Sequence, residues 1–270
     1  MSWKITGKQA GSLGLLDQYS GASAAYSLRR LSLYYTGPVV RVRRSSDSGE
    51  QDFSASEVSN GTLAGFCEAG NGLVRTWYDQ SGNGKHLEQS TAANQLTIVS
   101  SGVVVTDGGQ PAIQSPSGNP TLSVAWSAAP SNPKLFSVWK HTAAYSFALT
   151  GVWHDIGTFT FSDSVTSTVE HYEDFFHNDR PRYGTAGRAL NTRYIQSNEY
   201  AAGANTVRLN NSIIGANTYS LTTPTTLKLG GTSSSFPSTG YIQELIIYAN
   251  GSGDFRSDIV TAINSYYSVF

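Results

Sequence analysis

The segment TVEHYEDFFHNDRPRYG, residues 168–184, carries the densest set of side chains capable of chemistry. Its acids and histidines are Glu170, His171, Glu173, Asp174, His177 and Asp179. Two carboxylates on either side of a glycosidic bond supply the acid and the nucleophile or base of glycoside hydrolysis. Histidines beside carboxylates can also bind a metal ion, but their spacing here matches no metal motif.

A strand through this segment would place Glu170, Tyr172 and Asp174 on one face and His171 on the other. Aromatic rings that stack on sugars, beside carboxylates that accept hydroxyl hydrogen bonds, are typical of a carbohydrate-binding surface. We predict that Tyr172, Glu170, Asp174, His171 and His177 bind carbohydrate, and we assign no catalytic residue. A subunit-contact strand and a catalytic carboxylate pair are the alternatives.

A second segment, VRTWYDQSGNGKHLEQ, ends an apolar run with a loop of small and polar residues. Asp79, Ser81 and Asn83 stand at positions 1, 3 and 5, and Gly84 at position 6, as in an EF-hand loop. Position 12 is serine rather than glutamate, which argues against an EF-hand. We favour a structural corner in which Asp79 accepts backbone N–H groups and glycines supply positive φ. A looser Ca²⁺ site with Asp79, Ser81 and Asn83 as metal ligands is the alternative; no other cofactor is expected.

The run RVRR has three arginines, too few for nucleic acid without a basic background. Strand alternation places Arg41 and Arg43 together, and we expect them to pair with acids such as Asp47 or Asp52. The single cysteine, Cys67, is predicted to be a buried small hydrophobic residue.

These residues must be positioned mainly by strands. We predict strands in 39–44, 73–78, 95–114, 122–126, 134–141, 146–153, 158–162, 205–216, 225–231 and 240–249, with a hairpin at Asp107-Gly108-Gly109. We predict helices from about Ala22 to Leu33 and from Phe255 to Phe270, and a helical turn from Thr62 to Phe66. Many short strands with helices near the ends indicate a sandwich or barrel rather than a parallel α/β sheet. One domain is predicted over 22–270, with 1–21 as a possible attachment arm.

The composition narrows the function classes. The 270 residues carry a net charge of −1, and only 14% of them are charged. Such a chain has no field that would attract nucleic acid or an anionic membrane, so neither is expected as a partner. No apolar run approaches the roughly 18 residues of a membrane span, and no signal peptide is expected. With one cysteine, no disulfide forms within the chain, and folding in a reducing cytoplasm is expected.

The C-terminal third carries VRLNNSIIG (207–215), LKLGG (227–231) and GYIQELIIYA (240–249). With a turn at Asn210-Asn211, this order resembles the laminin-G and concanavalin-A-like jelly-roll superfamily. The resemblance implies an all-β, antiparallel jelly-roll β-sandwich with short N- and C-terminal helices.

The N-terminal part carries AAYSLRRLSLYYTGPVVRVRRSSD (24–47) and RTWYDQSGNGKHLEQ (75–89). Over about the first hundred residues it resembles the catalytic domain of α-L-arabinofuranosidase B. The same pattern, with the chain's C-terminal end, also resembles a group of bacteriophage virion proteins over most of its length. The regions of the catalytic acids find no match, so hydrolase activity does not carry over from the resemblance.

The resemblance to virion proteins implies a non-enzymatic phage structural protein. Its role would be capsid decoration, a spike or a fibre tip, as a homo-oligomer that contacts other virion proteins. It would bind a host-surface glycan and be located in the virion, after assembly in the host cytoplasm. The first alternative is a glycoside hydrolase related to α-L-arabinofuranosidases; the second is a capsid cement without a ligand.

Overall fold

A computed structural model describes residues 13–115, 121–142, 158–159, 171–172, 182–183, 189–218, 220–221, 226–230, 239–251 and 254–270. The helices are α1 (Leu15–Gln18), α2 (Ala55–Ser59), α3 (Thr62–Cys67) and α4 (Arg256–Tyr267), with a 3₁₀ turn at Ala92–Asn94. The first ten strands are β1 (Ala24–Ser27), β2 (Val40–Arg44), β3 (Glu50–Phe53), β4 (Gly72–Trp77), β5 (Leu87–Glu88), β6 (Leu96–Ser100), β7 (Val103–Val104), β8 (Thr106–Asp107), β9 (Gln110–Pro111) and β10 (Ile113–Ser115). The others are β11 (Thr121–Ala125), β12 (Lys134–His141), β13 (Thr158–Phe159), β14 (His171–Tyr172), β15 (Arg182–Tyr183), β16 (Arg193–Ala201), β17 (Ala204–Leu209), β18 (Ser212–Thr218), β19 (Thr226–Gly230) and β20 (Gly240–Tyr248).

The strands form a predominantly antiparallel sheet that folds over on itself as a sandwich. The hydrogen-bonded path runs β13-β19-β11-β5-β4-β6-β10-β20-β12-β16-β17-β18, and β1 pairs with β20. Both halves of this path contribute to the larger hydrophobic core, for example Trp77 and Leu229 from one half and Leu135 and Val207 from the other. The predicted all-β sandwich is confirmed.

Strand β20 lies at the centre of the structure and is buried on both faces. Leu245 and Ile247 point into the core inside the sandwich. Ile246 and Tyr248 point to a second core on the outside, where α4 packs with Ile259 and other apolar side chains. Sheet strands covered on both faces have near-continuous apolar sequences, which explains the run LIIYA.

A β-bulge interrupts β20 at Gln243. Val138 pairs with Glu244 and Trp139 with Ile242, so Gln243 is the extra residue. Its buried amide Nε2 lies 3.0 Å from the carbonyl oxygen of Asp107 and 3.1 Å from that of Gln110. The bulge therefore ties the centre of the sheet to the β8–β9 hairpin.

The next residue, Glu244, is completely buried and carries the central ion pair. Arg29 Nε and Nη2 donate to its two carboxylate oxygens at 2.7 and 2.9 Å. Ser27 Oγ donates to Oε2 at 2.9 Å, and the Tyr267 hydroxyl lies 3.1 Å from the same oxygen. The carboxylate thus links β1, β20 and α4.

Most predicted elements are confirmed, including α4, the helical turn at α3 and the hairpin at Asp107-Gly108-Gly109. Asn210 and Asn211 have φ of 48° and 68°, as a two-residue hairpin turn requires. The strand predicted at 146–153 and residues 160–162 lie outside the described residues.

The helix predicted from Ala22 to Leu33 is wrong. Residues Ala24–Ser27 form β1, paired antiparallel with β20. Ala24 and Tyr26 point into the larger core while Ala25 points into the second, so the strand is apolar on both faces. Without an alternating polar face, the sequence lacks the usual strand signal.

The N-terminal helix is instead α1, and its Leu15 packs in the second core. Residues 1–12 of the predicted attachment arm lie outside the described residues, so the arm stays a prediction for them. None of the helices in the described part of the chain is long and apolar enough to cross a membrane.

Because the Arg29–Glu244 pair is buried, its loss should cost more stability than the loss of a surface arginine–carboxylate pair with the same geometry. Glu244→Gln should lower the free energy of unfolding by about 3 kcal/mol, because Arg29 would keep its charge without a buried partner. The matched control is Asp52→Asn. Arg41 donates to the two Asp52 oxygens through the same two nitrogens, at 2.7 and 2.8 Å, but this pair lies on the surface. This control should cost less than about 1 kcal/mol in the same urea titration. Equal losses would contradict the structural role of Glu244.

Candidate functional site

The loop after β4 is a closed corner around the Asp79 carboxylate, which is 2% exposed. Oδ1 accepts hydrogen bonds from the backbone N–H groups of Ala25 and Ser81, both at 2.9 Å. Oδ2 accepts from Ser81 Oγ at 2.8 Å and from the N–H of Lys85 at 3.1 Å. Four donors therefore occupy this carboxylate.

The neighbouring side chains extend the corner onto β1. Asn83 Nδ2 lies 2.9 Å from the carbonyl oxygen of Ala22. Gln80 accepts from the N–H of Leu31 and donates to the carbonyl oxygens of Ser27 and Arg29. Gly82 and Gly84 have φ of 89° and 67°, which non-glycine residues rarely adopt. The geometry is that of the structural corner preferred from the sequence.

The alternative of a Ca²⁺ site at Asp79, Ser81 and Asn83 stays a prediction. A cation at Asp79 would have to displace donors that already bind both of its oxygens. Among the residues that the structure describes, no group of three or more histidine, cysteine, aspartate or glutamate side chains could hold a metal ion.

The predicted carbohydrate-binding segment is described only in part. His171 and Tyr172 form β14, which pairs antiparallel with β15 in a separate two-stranded sheet. Glu170, Asp174 and His177 lie outside the described residues, as do Glu173 and Asp179. Strand β15 lies next to β18, at the end of the main sheet path. The assignment of these five residues to carbohydrate binding stays a prediction.

The buried carboxylates of the described residues are already engaged by the fold. Asp79 holds the corner, Glu244 binds Arg29, and Asp107 pairs with Lys140 Nζ. A catalytic carboxylate must reach the substrate, so these three are not candidates for the acid or the nucleophile of a hydrolase.

Two described carboxylates, Glu199 and Asp254, line one open cleft of about 430 Å³ at the end of β16. Lys134 Nζ lies 3.0 Å from Glu199 Oε1, and Arg208 Nη1 lies 3.6 Å from Oε2. The sequence reasoning missed this pair of carboxylates because its members are 55 positions apart.

The other candidates have structural roles. Arg41 pairs with Asp52 as expected, whereas Arg43 donates to Gln95 Oε1 at 2.8 Å rather than to an acid. Burial raises the pKa of Cys67 to about 11, so its thiol stays protonated at neutral pH.

Sequence comparisons with known proteins find similarity to α-L-arabinofuranosidase B. Residues 16–114 match the family model described as alpha-L-arabinofuranosidase B, catalytic. The chain is 39% identical over 87 residues to a probable alpha-L-arabinofuranosidase B of Aspergillus fumigatus, a match that covers 28% of this chain and 17% of that protein.

Solved structures share the fold over nearly the whole chain. A GH54 α-L-arabinofuranosidase soaked with a cyclic sulfate inhibitor gives a TM-score of 0.70 at 16% identity, covering 95% of this chain and 65% of that one. An arabinofuranosidase complexed with arabinofuranosyl-α-1,2-xylobiose gives 0.66 at 17% identity with the same coverage. At these identities the likeness shows the fold, and the chain spans about 65% of the length of these structures.

These findings correct the predicted function. The resemblance to arabinofuranosidase B is confirmed for the N-terminal part, whereas none of the reported matches is a phage protein. The predictions of a phage virion protein, of a non-enzymatic role and of location in the virion are therefore wrong. They rested on the C-terminal end of the chain together with a pattern, AYSLR to TWYDQSGNG, and that pattern lies within the region matched by the catalytic-domain model. The predicted homo-oligomer stays a prediction.

The corner around Asp79 gives a prediction that separates structure from metal binding. Asp79→Asn should lower the free energy of unfolding by about 1–3 kcal/mol, because an amide NH₂ faces donors that lose their acceptor. The melting temperature of the unaltered protein should be the same in CaCl₂ and in EDTA.

Glu88→Gln is the control for that experiment, since Glu88 is exposed and its loss should change stability by no more than about 0.5 kcal/mol. A rise in melting temperature with Ca²⁺ that Asp79→Asn abolishes would instead assign a metal ion to the corner.

Proposed function

We propose that this protein is a glycoside hydrolase of the α-L-arabinofuranosidase type, which removes α-L-arabinofuranosyl groups from a saccharide. The observation that carries the proposal is the match of residues 16–114 to the catalytic-domain model of arabinofuranosidase B. The matched model describes a catalytic domain, whereas a sandwich fold alone specifies no activity.

The fold supports the same proposal independently of that segment. The likeness to the GH54 structure extends over 95% of the chain, so it continues well beyond the matched residues 16–114. The sheet that carries β12, β16 and β20 is therefore shared with an arabinofuranosidase, although the likeness alone gives no residue a role.

We place the catalytic carboxylates among Glu170, Glu173, Asp174 and Asp179. Glycoside hydrolysis needs two carboxyl groups on opposite sides of one bond, about 5–9.5 Å apart. The buried carboxylates of the described residues are engaged in structural contacts. The segment 168–184 holds four acids within ten positions, together with aromatic residues suited to a sugar ring. The pair Glu199 and Asp254 is the alternative location, since both line one cleft.

The test is release of 4-nitrophenol from 4-nitrophenyl α-L-arabinofuranoside by the purified protein. Glu170→Gln, Glu173→Gln, Asp174→Asn and Asp179→Asn are compared one at a time. Two of them should lower kcat/KM by about 10²- to 10⁴-fold, because each removes one proton-transfer or nucleophilic group. Glu88→Gln, which alters an exposed carboxylate on β5, should leave kcat/KM unchanged.

The cleft variants Glu199→Gln and Asp254→Asn complete the series. A loss confined to these two would move the active site to the cleft. No release of 4-nitrophenol by the unaltered protein would contradict the proposed activity.

A further inference from the structure

A cavity of about 650 Å³ is lined by residues between Leu28 and Ser59 and by Tyr266. It is formed by the chain after β1, the turn before β2, the region of α2 and the C-terminal half of α4. We name it the arginine cavity, after Arg29 and Arg30 in its lining. Its volume is within the range of about 300–1,000 Å³ that is usual for small-molecule sites.

Arg29 is held rigidly at this cavity. Nε and Nη2 are fixed by Glu244, and the guanidinium lies 4.4 Å from the ring centroid of Tyr266. The remaining terminal nitrogen, Nη1, donates to no residue in the described part of the chain. A guanidinium fixed in this way loses little rotamer freedom when it binds a further acceptor.

Arg30 provides the positive charge. It is exposed, and it makes no ion pair or hydrogen bond with another described residue. The charge of Arg29 is balanced by Glu244 in an ion pair, whereas Arg30 has no ion-pair partner among the described residues and only interacts electrostatically with the carboxylate of Asp17. The described residues that line the cavity include these two arginines and no aspartate or glutamate. The lining therefore favours an anion.

The rest of the lining suits a sugar. Tyr35 and Tyr266 provide aromatic surface, and Thr36, Ser56 and Ser59 provide hydroxyl groups. The Tyr35 hydroxyl donates to the carbonyl oxygen of Pro38 at 2.6 Å, which fixes its ring at the wall. Hydroxyl groups can exchange hydrogen bonds with sugar hydroxyls, and arginine matches a carboxylate.

We propose that the arginine cavity binds a carboxylate-bearing sugar, a hexuronic acid residue, with Arg30 and Arg29 Nη1 at the carboxylate. This inference does not rest on the proposed hydrolase activity, since it depends only on the cavity and its lining. If both hold, the protein would bind an acidic saccharide at one place and cleave arabinofuranosyl groups at another.

The test is a titration of the isotopically labelled full chain, followed through its backbone amide signals. Sodium glucuronate should shift the amides of residues 29–37 and 54–59. Glucose is the neutral control and sodium acetate the charged control that lacks a sugar ring. Each should bind at least about tenfold more weakly than glucuronate, since glucose lacks the charge-assisted hydrogen bonds to the arginines and acetate lacks the contacts of the sugar ring.

Two variants test the arginine. Arg30→Gln should weaken glucuronate binding about tenfold, and the exposed side chain makes loss of folding unexpected. Arg256→Gln removes the same charge at α4 outside the cavity and should leave binding unchanged. Neither variant should alter release of 4-nitrophenol from the aryl arabinofuranoside, so failure of the hydrolase proposal would be seen separately.

Several outcomes would overturn the inference. Glucose binding as tightly as glucuronate would remove the role of the carboxylate, and acetate doing so would leave only an anion site. Equal affinities of the two variants, or shifts confined to residues outside the cavity, would also contradict it.

Discussion

The structure depends on one strand that must bury both of its faces while carrying two polar residues near its middle. In β20 the apolar residues alternate between two cores, and Gln243 and Glu244 interrupt them. Buried polar groups need hydrogen-bond partners, so each polar side chain specifies a neighbour. Gln243 reaches the β8–β9 hairpin from the bulge, and Glu244 binds Arg29 and Tyr267. The order of layers around the sheet follows from these contacts.

The corner at Asp79 holds the other side of β1 in place through hydrogen bonds to its backbone. It binds the N–H of Ala25, while Gln80 binds the backbone of the chain that follows the strand. The sequence TWYDQSGNG is therefore a framework motif, although it lies within a region that matches a catalytic-domain model. Resemblance in such a motif carries the fold across families, while the groups that perform the chemistry can lie elsewhere in the chain.

The sequence predicts best those elements whose pattern has a local cause. The turn at Asn210-Asn211 and helix α4 follow from positive φ and from apolar spacing, and both are confirmed. The strand β1 is missed because AAYS is buried on both faces and offers no alternation. The pair of Arg29 and Glu244 is 215 positions apart, so no local pattern could indicate it. The same reason hides the cleft shared by Glu199 and Asp254.

The low charge of the chain also restricts where its chemistry can lie. With 19 acidic residues in 270, each carboxylate committed to the framework leaves fewer for a substrate. Asp79 and Glu244 are committed in this way through both of their oxygens, and Asp107 is committed through its ion pair with Lys140. An acid that meets a saccharide must instead be free to change its protonation state and its hydrogen bonds during reaction. The acids that we propose for this role are four others, between residues 170 and 179, in a segment with several aromatic rings.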